Sequence, residues 1–330
     1  MPLTNFPNGI QTPFISGANL PFTGNHFFVD PVNGSDGAEG TVDDPLKTLK
    51  RAHDLCKDGN NDVVHLVGNG QLSGTAYLTE QLVWSKNATH LVGVTAPTRN
   101  SQRARIAIAS GTAGFSPMVK VTAQGCMFSN LSAFHGYATA ETQICWLESG
   151  QRNYYENVHF AGMGDAGGIS GDQTGSASLH IDGGVAAGTT GLGENTFVGC
   201  TIGFDTIARS VANANLKLSG ATPRNYFKDC VFPAFADNAG VLFVKASSAS
   251  DLDRETIFDK CKFINVIKST ATTMTAGFSV HASVGGLILL DQCVSIGATD
   301  IETNGAPSNN IFINGPAPVA ATTGLAVNNA

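Results

Sequence analysis

From residue 195 onward, apolar and polar positions recur in near-identical phrases. These are Asn195-Thr-Phe-Val-Gly-Cys200-Thr-Ile202, Asn225-Tyr-Phe-Lys-Asp-Cys230-Val-Phe232, Thr256-Ile-Phe-Asp-Lys-Cys261-Lys-Phe263 and Leu289-Leu-Asp-Gln-Cys293-Val-Ser295. In each, apolar and polar residues alternate around a two-residue break, as at Phe227, Cys230 and Phe232. That is the period of a strand turning a tight corner, not the period of a helix. The four cysteines are separated by 30, 31 and 32 residues. A steady spacing of this size marks a solenoid, whose repeats bury their apolar faces only by stacking on one another. The pattern predicts a parallel β-helix with a ladder of small residues down its core.

Weaker copies extend the ladder upstream. Tyr154-Tyr-Glu-Asn-Val158-His-Phe160 puts Val158 at the cysteine position, and Val121-Thr-Ala-Gln-Gly-Cys126-Met-Phe128 puts Cys126 there. The expected ladder is therefore Cys126, Val158, Cys200, Cys230, Cys261 and Cys293. The Gly-rich run 161–193 reads as a loop thrown out from one coil, and Asn87-Ala-Thr-His-Leu91 as a first turn of the series. Six or seven coils follow, giving a rod about 30–35 Å long at the ordinary strand spacing.

The ends differ from this middle. Residues 1–24 carry four prolines and the apolars Phe6, Ile10, Phe14, Ile15, Leu20 and Phe22 without any period. Proline blocks helix and removes backbone donors, yet these apolars are too many for a solvated tail. The segment reads as an extended arm that buries its side chains on a partner surface; an arm folded along its own solenoid is the alternative. Residues 25–62 read as a cap: a strand at His26-Phe-Phe-Val, a Gly/Asn/Asp loop, and a helix with Asp44 as N-cap and Pro45 at its first position. Leu46, Leu49, Ala52, Leu55 and Cys56 share one face of that helix, and Gly59 stops it. A solenoid needs such a cover over its open terminal coil. Residues 63–314 are the β-helix, and 315–330 are an irregular, uncharged tail.

Composition narrows the function classes. Charged residues are only 14% of the chain and glycines number 38, which suits many short strands and tight corners. A net charge of -7 offers no basic footprint for nucleic acid. No apolar run reaches membrane-spanning length, and residues 1–20 lack the basic start and apolar centre of a signal peptide. Synthesis in the cytoplasm follows. Seven cysteines exclude a complete disulfide framework, and one thiol per coil does not make a tetrahedral metal cluster. The ladder reads as stacked, reduced core residues, with no metal and no cofactor called for.

Phe27-Phe-Val-Asp-Pro-Val-Asn-Gly34-Ser-Asp36, followed by Asp44-Pro45-Leu-Lys-Thr48-Leu-Lys-Arg-Ala52, resembles the entry motif of right-handed β-helix proteins of the pectate-lyase-like superfold. The Asn-x-Phe-x-x-Cys-x-Phe phrases look like the same superfold, so the resemblance spans roughly residues 26–314. It implies an all-β, right-handed, single-stranded parallel β-helix with an N-terminal helical cap and an extended arm. That fold hosts lyases, hydrolases and inert structural proteins alike. The opening Met-Pro-Leu-Thr-Asn-Phe-Pro-Asn-Gly-Ile10 also looks like the start of virion structural proteins of tailed bacteriophages.

An enzyme of this superfold needs carboxylates close together on one exposed face, as glycosidases do. The candidates are Asp165 and Asp172 in the Gly-rich run, Asp182 and Glu194 at its far end, and the cluster Asp251-Leu-Asp253-Arg-Glu255. If extended, that cluster points Asp251, Asp253 and Glu255 one way and Arg254 the other. Turn hydrogen bonds and a solvated loop account for the same residues. Asp30, Asn33, Asp36, Asp43 and Asp44 miss the calcium-loop template and suit Asx turns and a helix cap. The eight histidines are scattered, with no Ser/Asp trio assignable to them.

The expectation is a non-enzymatic virion protein, made in the host cytoplasm, that decorates and stabilises a phage capsid through its arm. Its partner would be the major capsid protein or another virion protein; the resemblance adds a homotrimer. The alternative is a tailspike or tail fibre that binds or cleaves a glycan, with Asp165, Asp172, Asp182, Asp251 and Asp253 as its candidate acids.

Overall fold

The structure, a computed structural model, describes residues 24–109, 114–136, 142–163, 173–185, 191–265, 272–303 and 310–314. The arm residues Phe6, Ile10, Phe14, Ile15, Leu20 and Phe22, the acids Asp165 and Asp172, and the tail 315–330 lie outside them.

The strands form three parallel sheets of ten, eight and eight strands, each pairing with its counterpart one coil away. The chain is a right-handed parallel β-helix. Coil five shows the plan: Thr196–Val198 in the first sheet, Thr201–Ile202 in the second and Ala214–Ser219 in the third. Eight such three-strand coils lie between His26–Val29 and Ile311–Asn314, which extend the first sheet at either end. The count exceeds the expected six or seven because the first coil, opening at Val63–Val67, carries none of the repeated phrase. Ten strands deep, the first sheet is about 43 Å long.

The two-residue break has a conformational cause. Asn130, Asn157, Gly199, Asp229, Lys260 and Gln292 sit at φ of 51 to 58°, the left-handed region that turns the chain sharply. Each is followed by a residue pointing into the core: Leu131, Val158, Cys200, Cys230, Cys261 and Cys293. Cys126 is not in this column. Met127 pairs with Tyr154, and Ser132 with His159, so Leu131 occupies the position beside Val158. Gly125, at φ 67°, marks a second left-handed corner between the third and first sheets, which imitates the first in sequence.

That second corner carries a polar column. Cys126, Asn153, Asn195 and Asn225 follow one another on successive coils, and the Asn side chains stitch them together. Asn153 Oδ1 accepts from the Cys126 N–H at 2.8 Å, Asn195 Oδ1 from Asn153 N–H at 2.9 Å, and Asn225 Oδ1 from Asn195 N–H at 3.3 Å. Between the corners runs an aromatic stack. Phe128, Tyr155, Phe197, Phe227 and Phe258 lie ring on ring with centroids 4.5 to 4.9 Å apart. All five are buried, so this column supplies much of the apolar area that drives stacking.

Two further expectations are corrected. The helix spans Leu49–Leu55 with Thr48, not Asp44, as N-cap, its side chain accepting from the Arg51 N–H. Leu46 instead bridges Val29 in extended backbone, because Asp36 accepts from the N–H groups of Lys47 and Thr48 and sets the start of the helix later. The Gly-rich run is not one loop. It contains the strand Ala177–Asp182, the third-sheet member of coil four, whose alternation at Leu179 and Ile181 is core-facing.

Candidate functional site

The outer face of the third sheet carries hydroxyl, imidazole, carboxylate and ammonium groups on adjacent strands. In coil four, Leu179 and Ile181 point into the core, leaving Ser178, His180 and Asp182 on the opposite face. In coil five, Leu216 and Leu218 point in and Lys217 and Ser219 out. Register places His180 beside Lys217, Asp182 beside Ser219, and Lys217 beside Lys245 of coil six. A cavity of about 390 Å³ opens over these strands, lined among others by Ser176, Lys217, Ser219, Lys245, Ser248 and Asp251.

Hydrogen bonds fix the protons here. The Ser219 hydroxyl donates to Asp182 Oδ1 at 3.0 Å and lies 2.8 Å from His180 Nε2. Burial, then Lys217, lowers the His180 ring to about 4, so it is neutral near pH 7. With Ser219 donating to the carboxylate, Nε2 carries the hydrogen and donates to the hydroxyl, which is the reverse of an activated nucleophile. Asp182 also accepts from Gly184 N–H at 3.1 Å. Asp251 accepts from Ser248 N–H at 2.6 Å, and burial raises its carboxyl against the opposing pull of that bond and of Lys217.

Of the expected acids, Asp251 lines this cavity, and Asp182 is bonded to its lining residue Ser219 without lining it. Asp253 is elsewhere, at the start of the first-sheet strand Asp253–Asp259. The cluster does not alternate as expected: Arg254 stands at φ 66° and reaches back to Asp253 at 3.2 Å. Glu194 joins Arg152 at 2.7 Å and Arg224 at 2.8 Å on an exposed corner. In the entry loop, Asp30 accepts from Val32 and Asn33 N–H groups, and Asp44 from Glu39 N–H. Among the described residues no group of three or more His, Cys, Asp or Glu is placed to hold a metal ion. All seven cysteines are buried and unpaired. The Cys230 Sγ lies 3.5 Å from the Phe197 carbonyl of the preceding coil, and burial raises its thiol well above the usual range.

His180, Lys217, Ser219 and Lys245 were not singled out by the sequence. Their signal is the pair of positions His180-x-Asp182, Lys217-x-Ser219 and Lys245-x-Ser247, which align only once the unequal coil lengths are known.

A second polar centre is sealed inside the rod. Glu148 is fully buried in an interior column between Val121 and Ile181. Its Oε1 accepts from Gly150 N–H at 2.8 Å and Asn153 Nδ2 at 3.0 Å, and its Oε2 accepts from the Tyr155 hydroxyl. Burial pushes its carboxyl up to about 7 in spite of these bonds.

No protein-family model matches the sequence, and no curated protein does. Solved structures match its fold. A pectin methylesterase from Aspergillus niger superposes with TM-score 0.55 at 16% identity, over 91% of this chain and 87% of that one. The pectate lyase Pel9A gives 0.58 at 15%, over 88% and 68%. A pectin methylesterase from Erwinia chrysanthemi gives 0.53 at 14%, over 94% and 92%. At these identities the likeness is one of fold.

Proposed function

We propose that this chain is a non-enzymatic structural protein of a tailed-phage virion. It decorates and stabilises the capsid as a homotrimer, holding the major capsid protein or another virion protein through residues 1–24. The observation that carries the reading is the pinned root of the arm. Asn25 N–H donates to Asp62 Oδ1 at 2.6 Å, and Gly24 packs so closely on the Asn60–Asn61 backbone that a Cβ there would sit 2.3 Å from the Asn61 carbonyl carbon. Residues 1–23, with the apolars Phe6, Ile10 and Phe14, are thus joined to a point that is fixed on the cap. The braced state of Asp182 and Asp251 supports a structural role for these acids. Removing residues 1–23 should leave a folded solenoid that no longer joins particles, read by co-sedimentation and copy number per capsid. Full occupancy by the truncated chain would refute the attachment role.

A second reading, a polysaccharide hydrolase or lyase, is favoured by Asp251 lining a cavity whose Ser219 is bonded to Asp182, and by a fold shared with pectin methylesterases and a pectate lyase. It requires reducing-end release from a host-surface glycan that disappears in Asp182→Asn or Asp251→Asn.

A further inference from the structure

We propose that the stretch 10–14 of this chain docks as an added parallel strand on the open edge of Ala76–Leu78, the outermost strand of the second sheet. This is where the segment lies in the free chain, before any particle takes it up, and it does not rest on the attachment reading. At the capped end His26–Val29 extends the first sheet, and the cap helix packs against Leu82–Trp84 at the end of the third. The second sheet ends at Ala76–Leu78, which among the described residues pairs on one side only, with Arg105–Ile108. On that side the Leu78 C=O accepts from Ala109 N–H. Backbone groups of a strand alternate between its two edges, so the Tyr77 N–H and C=O point to the open one. A cavity of about 410 Å³ runs along this strand, lined among others by Leu49, Ala76, Tyr77, Leu78 and Leu82. An open edge beside apolar side chains is a template for an extended segment.

The numbering of residues 1–23 identifies the occupant. The segment has no continuous period, yet five of its six large apolars, Phe6, Ile10, Phe14, Leu20 and Phe22, are even-numbered. Three of its four prolines, Pro7, Pro13 and Pro21, are odd-numbered. If the chain is extended, even residues 6–22 turn an unbroken row of N–H groups to one edge, and the donors lost to proline fall on the other. Added in parallel through that unbroken edge, the even side chains share the face of Ala76 and Leu78, and the odd ones the outer face of Tyr77. One register rule thus sends Ile10 and Phe14 to the apolar side and Pro13 outward. Residues 1–23 carry no Asp, Glu, Lys, Arg or His, so docking buries no charged side chain. The distance along the chain also fits. In every coil but the fourth, the second-sheet strand begins 14 to 24 residues ahead of the next first-sheet strand, as from Ala76 to His90 and from Thr201 to Asn225. Ile10 stands 16 residues ahead of His26.

The test is amide hydrogen exchange of the full chain, read at Tyr77 by NMR, with Asn225–Lys228 reporting an intact rod. Tyr77 should exchange at least about tenfold more slowly in the wild type than in T12P, which removes an even-numbered donor. Q11P removes an odd-numbered donor and should match the wild type. Likewise I10S/F14S should speed exchange at Tyr77 and I15S should not; this pair carries the comparison if T12P disturbs the rod itself. Isotope-labelled wild type refolded with an excess of unlabelled T12P, with native mass spectrometry showing any shared assembly, should keep its own Tyr77 protected. The proposal is overturned if Tyr77 exchanges as fast in the wild type as in T12P and I10S/F14S, or if Q11P or I15S releases it equally. Loss of protection in the refolded mixture would give the added strand to a second copy and overturn it too. No particle enters these measurements, so they leave the attachment role to its own test.

Discussion

Replacing Glu148 by Gln tests whether the rod's interior stores a protonation equilibrium. The carboxyl sits where neighbouring coils place Val121 and Ile181, and burial is the largest influence on it, raising it from 4.5 to about 7. A raised carboxyl favours the folded state while it is protonated. Its contribution is complete below about 4.5 and is lost as pH climbs through about 7. That shift is worth roughly 3 kcal/mol in all, of which roughly 2–3 kcal/mol falls between pH 5 and pH 8. Glutamine holds the neutral form permanently, with its carbonyl at Oε1 still accepting from Gly150 and Asn153 and its amide facing the Tyr155 oxygen. Five buried histidines, His53, His65, His90, His159 and His180, are lowered to about 4 by burial and act in the opposite sense. Their contribution is full above 6.5 and lost as pH falls towards 4, equally in both proteins. The informative quantity is therefore the difference in urea unfolding free energy between E148Q and the wild type, measured from pH 5 to pH 8. It should move in favour of E148Q by roughly 2–3 kcal/mol across that range. A difference that stays constant with pH would show that Glu148 does not titrate in the folded rod, and the reasoning fails.

Two further outcomes follow from the core columns. The thiols of Cys200, Cys230, Cys261 and Cys293 should resist alkylation until the chain is unfolded, and Cys230→Ser should cost only about 1 kcal/mol, because the Phe197 and Lys228 carbonyls are in reach of its hydroxyl. Rapid native labelling at all four would remove the inward column. Asn195→Ala should cost roughly 1–3 kcal/mol, since it strips the buried Asn153 N–H of its acceptor; a urea midpoint within error of the wild type would sink the Asn stitch.

The fold was legible because a β-helix repeats its constraints. A left-handed corner followed by a small core residue must recur in every coil, so Asp229-Cys230 and Lys260-Cys261 announce the same geometry in similar letters. The same economy caused the misplacement of Cys126, since Gly125-Cys126 obeys an identical rule at the other corner. Only register, set by the pairing of Met127 with Tyr154, separates the two. The outer face obeys no such rule. No packing demand fixes what stands at Lys217 or Lys245, and the loops between strands change length from coil to coil, so residues that meet in space keep no fixed spacing in sequence. Asp251 stood out among the acids, but the lysines and hydroxyls that line its cavity were invisible until the strands were aligned. Glu148 was hidden for the opposite reason. Its phrase, Cys145-Trp-Leu-Glu148, is an unbroken apolar run ending in a charge, which gives no sign that the charge faces inward, and the Asn153 and Tyr155 side chains that make it tolerable inside come from the next coil. A solenoid thus writes its corners into the sequence and leaves its sites to the register, which is why the cavity on the third sheet, and not the repeat, is where experiment has most to decide.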